Sequence, residues 1–169
     1  NNTCNQGQNL YMALLYGGRR DTTLLSDLWG LRWNYRTNKY SWDALPDSNS
    51  PGKLWRHTAV FDPYGKNMLI FGGRTQTGIN SRVYRLKTIG VNSDCTSPGL
   101  AWDTLAVSNG PAPRYGHGAA YNTQKKVMVI FGGRNNDNPP TYFNDVWALG
   151  NLGGTPTWTQ LTPGGAEGV

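Results

Sequence analysis

Short apolar runs, each stopped by two glycines and an arginine, recur three times along the chain. They are Ala13-Leu14-Leu15-Tyr16-Gly17-Gly18-Arg19, Met68-Leu69-Ile70-Phe71-Gly72-Gly73-Arg74 and Val127-Met128-Val129-Ile130-Phe131-Gly132-Gly133-Arg134. The glycine pairs stand 55 and then 60 residues apart, which marks an internal repeat. Phased on the glycines, three further runs fall into register. A strand centred on an aromatic follows each pair: Asp27-Leu28-Trp29-Gly30-Leu31, Arg82-Val83-Tyr84-Arg85-Leu86 and Asp145-Val146-Trp147-Ala148-Leu149. A short strand led by tryptophan comes next: Trp42-Asp43-Ala44-Leu45, Trp102-Asp103-Thr104-Leu105 and Trp158-Thr159-Gln160-Leu161. After a turn rich in Pro, Gly and Ser, the strands His57-Thr58-Ala59-Val60-Phe61 and His117-Gly118-Ala119-Ala120-Tyr121 lead into the next apolar run. The polar turns 62–66 and 122–126 between them are hairpin signals, because Gly and Asn tolerate positive φ and Pro63 presets its own.

Each unit therefore predicts four short antiparallel strands: a (begun by the histidine), b (before the glycines), c and d. No window of ten or more residues carries the i, i+3, i+4, i+7 apolar spacing of a capped helix. Four short strands repeated every 50 to 60 residues predict an all-β protein of propeller blades. The expected units are 1–47, 48–107 and 108–169. In the first, Asn2 falls where His57 and His117 sit and residues 1–6 make a poor strand a, so its innermost strand is expected to be missing or degraded. The final turn should lead to a further blade. Propellers usually close with roughly four to eight blades. An open three-blade segment thus needs either further blades or a second chain.

Composition supports this and narrows the chemistry. Seven Trp, nine Tyr and 22 Gly with a single Glu, Glu167, suit strands and turns better than helices. The net charge of +6 makes acidic partners worth considering, but the basic residues are scattered, without the Lys/Arg runs of a nucleic-acid surface. No nucleic-acid partner is expected. No apolar run approaches membrane-spanning length, so no membrane insertion is expected either. Cys4 and Cys95, the two cysteines, have no metal-ligand spacing; they are either one disulfide or two inert thiols. Asn1 heads an N-glycosylation sequon, which with the low Glu and Lys tilts the expectation towards a secreted or cell-surface protein, the cytoplasm being the alternative.

An apolar run, Gly-Gly, then Tyr or Trp, then Trp, in three phased copies, resembles the kelch motif, whose period is about 50 residues. The resemblance covers nearly the whole chain. It implies a kelch-type β-propeller segment acting as a non-catalytic protein-binding or assembly module, contacted through the b–c and d–a loops. Alternatives are a structural half-propeller that oligomerises through open blade edges, a carbohydrate-binding propeller, and part of a larger kelch enzyme such as a copper-radical oxidase. Two phased histidines cannot supply such an enzyme's site, so no cofactor, metal or catalytic residue is expected within this chain. One departure stands out: the position of Arg114 is Leu54 in the middle copy.

The glycine pairs Gly17 and Gly18, Gly72 and Gly73, Gly132 and Gly133 are expected to be structural, as are Trp29, Tyr84, Trp147, Trp42, Trp102 and Trp158, each buried between blades. His57 and His117 are expected to hydrogen-bond backbone near the channel, and Asp27 and Asp145 to tie down their loops. The b–c loops 19–25, 74–80 and 134–142 each open with an arginine. Arg19, Arg74 and Arg134 should form a partial ring on one face, with Arg20 beside them, and guanidinium forks there suit carboxylates or phosphates. Gln76, Asn135, Asn136, Asp137 and Tyr142 complete the candidate contact surface, since binding residues collect on loops held by a rigid scaffold. Trp55, Tyr115 and Tyr142 are the rings a sugar would stack on. The long c–d loop 87–101 carries Cys95 on the opposite face.

Overall fold

The computed structural model describes residues 11–34, 36–91, 98–135 and 138–162. Among them, strands alone form the regular structure, in three antiparallel sheets. The first contains β1 (Ala13–Arg20), β2 (Thr23–Asn34) and β3 (Lys39–Leu45). The second orders β4 (Thr58–Asp62), β5 (Asn67–Phe71), β6 (Val83–Val91) and β7 (Pro98–Leu105), and the third β8 (Gly118–Asn122), β9 (Val127–Phe131), β10 (Val146–Gly150) and β11 (Thr157–Leu161). Each strand pairs with its neighbours in sequence, and no sheet closes on itself. β4 and β8 approach one another, as the innermost strands of adjacent blades do. This is an open propeller segment. The expected poor strand at residues 1–6 lies outside the described residues.

The core lies between blades, and the two-residue period of a strand decides which side chain faces which neighbour. Met68, Ile70, Tyr84, Leu86 and Trp102 pack on the first blade's Tyr16 and Leu28. Leu69, Phe71, Val83 and Leu105, the alternate set, pack on Met128, Ile130, Leu149 and Trp158 of the third. The middle blade is thus covered on both faces, so β5 reads as an unbroken apolar run. Among the described residues, the outer blades each keep one open face. Leu15 is 53% and Trp42 50% exposed on one, Phe131 53% and Leu161 40% on the other. Trp42 therefore departs from the expectation that every phased tryptophan is buried: no described blade precedes it.

Two loops differ from expectation. In the first blade, β1 runs on through Gly17 and Gly18 with a register shift, and Arg19 and Arg20 pair with Leu24 and Thr23. The turn there is only two residues, with Asp21 at φ 53°, so the chain returns at once in a hairpin and no loop leaves the sheet. In the middle blade, Lys87 pairs with Ala101 and Ile89 with Gly99, so the outer parts of the supposed c–d loop are strand.

The glycine pair is the joint between blades. Gly18 N–H donates to Leu54 O at 2.8 Å, and Gly73 N–H to Arg114 O at 2.8 Å. A Cβ on Gly17 would stand 2.6 Å from Leu54 O, and one on Gly72 2.5 Å from Arg114 O. Only glycine lets the backbones come that close.

Candidate functional site: an arginine–aromatic face

On the face where the b–c and d–a loops emerge, the residue after the second and the third glycine pair meets the aromatic that leads into its own blade's strand a. Trp55 and Arg74 exchange backbone hydrogen bonds of 3.0 and 2.8 Å, and Tyr115 and Arg134 exchange bonds of 3.0 and 3.1 Å. These pairs pin the loops to the blade edge and fix where the side chains start.

The side chains then interleave across blades. Arg19 of the first blade lies over the Trp55 ring of the second at 4.2 Å, and Arg74 of the second over Tyr115 of the third at 5.1 Å. Arg134 also lies over Tyr115, at 5.1 Å. Arg56 bridges both rings, 4.6 Å from Trp55 and 5.8 Å from Tyr115. Four guanidiniums and two rings form a ladder across three blades. Each stacking contributes about 0.5–1 kcal/mol at an exposed site and, more usefully, orients a planar fork.

The sequence thus foresaw Arg19, Arg74 and Arg134 on one face but missed Arg56. Arg56 stands where Gly116 stands in the third blade and holds φ at 54°. An arginine in a place that another repeat gives to glycine was the available signal. Gln76 is exposed at the tip of a turn in which Thr75 Oγ1 accepts from the Thr77 and Gly78 amides. Arg20 is exposed beyond Arg19 on the first hairpin. Asn135 donates its N–H to Thr141 O at 3.1 Å, which folds the third loop back, and Tyr142 at its end is 69% exposed. Asn136, Asp137, Cys4, Cys95 and Asn1 lie outside the described residues. As a sugar platform the rings fare unevenly. Tyr115 is 0% exposed beneath the arginines and Trp55 lies against two guanidiniums, which leaves Tyr142.

Below the ladder, the phased histidines seal the blade joints. His117 Nε2 lies 2.6 Å from Thr58 Oγ1, a side-chain partner on the neighbouring blade where a backbone one was expected, and its ring meets Phe71 edge-on at 5.3 Å. His57 bonds the Tyr16 backbone. Burial lowers both pKa values to about 4 from 6.5, so both rings are neutral at pH 7. Because the folded value lies below the unfolded one, the unfolded chain takes up protons first as pH falls. Stability is then full above about pH 6.5 and is lost towards pH 4, by about 3 kcal/mol per histidine. Thermal midpoints from pH 7 to 4 should show that loss, and a His57→Gln/His117→Gln variant should show a much flatter profile over the same window.

Asp145 completes the third blade's joint. Its oxygens accept from Arg114 Nη1 at 2.5 Å and Nη2 at 2.9 Å, and from Trp147 Nε1 at 2.7 Å. Those bonds, the arginine's first, hold its pKa below the usual carboxylate value. Asp27 accepts from Trp29 Nε1 in the same way at 2.6 Å. Among the described residues, no group of three or more His, Cys, Asp or Glu is placed to hold a metal ion.

Blades of three or four described antiparallel strands, joined through glycine pairs and faced with loops, define a β-propeller segment. The chain matches the family model described as the KLHDC2/KLHL20/DRC7 Kelch-repeats domain over residues 2–167, and it belongs to that kelch-repeat family. Domains of this kind serve as protein–protein interaction modules.

Proposed function

We propose that this chain is a protein-binding module whose contact surface is the arginine–aromatic face, and that its partner presents a carboxylate-rich segment. One observation carries the reading: Arg19, Arg56, Arg74 and Arg134 are gathered on two rings of one face, so their positive charge is held in place before a partner arrives. Neither Arg19 nor Arg56 forms an ion pair with a described carboxylate. Tyr142, exposed beside Arg134, supplies an apolar contact at the edge of the same surface. The mechanism is complementarity on a rigid scaffold and involves no bond-making.

The test is a panel of immobilised peptides of acidic, neutral and basic composition, probed with the chain and with an Arg19→Ala/Arg74→Ala/Arg134→Ala variant. The acidic peptides should be retained preferentially, more weakly as salt rises. The triple variant should lose at least about tenfold in affinity, since charge-assisted hydrogen bonds exceed neutral ones. Retention without charge preference, or undiminished in a folded triple variant, would defeat the proposal.

A further inference from the structure

The turns between strands a and b emerge on the face opposite the arginines, and there the second and third blades enclose a cleft of about 470 Å³. Its walls are tied across the joint. Tyr64 Oη donates to Thr123 O at 2.9 Å, Tyr121 Oη donates to Asp62 Oδ1 at 2.7 Å, and Arg85 Nη1 of β6 donates to Leu152 O at 3.4 Å. The cleft therefore has a fixed shape, and its size is that of a small-molecule site.

Its charge is one-sided. Arg85, Lys125 and Lys126 line it, and Lys87 shares the Asp103 carboxylate with Arg85. The carboxylates at hand are engaged. Asp62 is 2% exposed, and its Oδ1 accepts from Tyr121 Oη and from Tyr64 N–H at 3.0 Å. Asp103 accepts from Arg85 Nη2 at 2.7 Å and from Lys87 Nζ at 2.9 Å. Lys125 and Lys126 are exposed, and neither forms an ion pair with a described carboxylate. Lys126 Nζ lies over the Tyr64 ring at 4.5 Å, which holds it at the rim of the cleft. The backbone there is unusual as well. Lys126 holds φ at 55°, and Lys66, its equivalent in the neighbouring turn, at 54°. Glycine or asparagine takes that conformation at lower cost, so a lysine in both turns marks a place where charge outweighs local ease.

We propose that this cleft binds the diphosphate group of a small molecule, independently of the arginine face. Lys125 and Lys126, the two cations without a carboxylate, each take one phosphate at the mouth, as point charges suit. Arg85 adds positive potential from the wall. Asp62 does not oppose the ligand directly, because it is buried beneath the Tyr64 and Tyr121 bonds. A concave site between two tied turns favours a small molecule over an acidic protein surface. The diphosphate is either free or carried on an organic group, and in the second case the exposed Tyr64 lies at hand as an apolar contact.

The probes are inorganic pyrophosphate and adenosine diphosphate, titrated at constant ionic strength into the isotope-labelled full chain. The amide resonances of Gly65, Lys126 and Gly153 should shift saturably with a Kd of about 1 mM or tighter, and more weakly as salt rises. Equal affinity for the two probes would assign the site to free diphosphate, and adenosine diphosphate at least about tenfold tighter to an organic carrier. Lys125→Ala/Lys126→Ala should weaken binding at least about tenfold. Lys126→Gly, which suits the backbone better, should weaken it too while the thermal midpoint does not fall, so a merely structural role for this lysine is separated from binding. Amides unmoved at about 10 mM of either probe, or shifts undiminished in the folded double variant, overturn the proposal. So does an equal response of the same amides to sulfate or to an unphosphorylated acidic peptide, which would make the cleft a general anion surface or a protein-docking one. The Arg19→Ala/Arg74→Ala/Arg134→Ala variant should leave these shifts unchanged, so the two readings fail separately.

Discussion

Asp145→Ala should destabilise the chain by about 3–5 kcal/mol, because it strands a buried guanidinium. Arg114 is 0% exposed, and its cation is held by the two oxygens of Asp145, by the carbonyls of Ala112 and Gly132, and over the Phe143 ring at 4.0 Å. The middle blade solves the same place without an ion pair. Leu54 stands for Arg114, and Arg82, exposed, stands for Asp145. Importing that solution, as Arg114→Leu/Asp145→Arg, should therefore recover most of the loss. Urea denaturation of the single and double variants measures both numbers, provided the slopes agree. A single variant within about 1 kcal/mol of the parent would mean that the ion pair is not what holds the joint.

Gly73→Ala should cost about 3 kcal/mol or more, while Gly18→Ala, at the same repeat position, should cost only about 1 kcal/mol. Both glycines sit at positive φ, 92° and 108°, so both substitutions carry backbone strain. Space separates them. A Cβ on Gly73 would lie 2.8 Å from His57 Cβ, 2.9 Å from His57 N and 2.9 Å from Trp55 O, whereas one on Gly18 meets none of the described residues within 4 Å. The obstruction is the blade's own lead into its innermost strand. Thermal or chemical unfolding of the two variants side by side would reveal the asymmetry, and equal losses would refute it.

The architecture was legible because one signal was repeated. A single Gly-Gly after an apolar run is weak, but three in phase with Trp29, Tyr84 and Trp147 leave little else than blades of a kelch-type propeller, and the family match agrees. The strand period also carried which aromatics would be buried, except where burial needs a neighbour. Trp42 and Trp102 occupy the same repeat position, yet only Trp102 has a described blade in front of it. Loop lengths were less legible, since a hairpin turns on one left-handed residue such as Asp21 and not on composition. The candidate site was half visible. Three arginines could be read from the repeat, but their interleaving with Trp55 and Tyr115 depends on the rotation between blades, which no local pattern encodes. Arg56 was not legible because it breaks the repeat in the lead-in to a strand, outside the b–c loops. The pairing of Arg114 with Asp145 was hidden for a related reason: the two are 31 residues apart and meet only when the blade folds.

The glycine pair is the joint between blades, and amide hydrogen exchange of three equivalent residues tests that most directly. Gly18 and Gly73, each bonded to a carbonyl of the next blade, should exchange far more slowly than Gly133, whose N–H has no backbone partner among the described residues, with the difference reaching roughly a hundredfold or more. Equal exchange at all three, under conditions where the rest of the chain is protected, would contradict it.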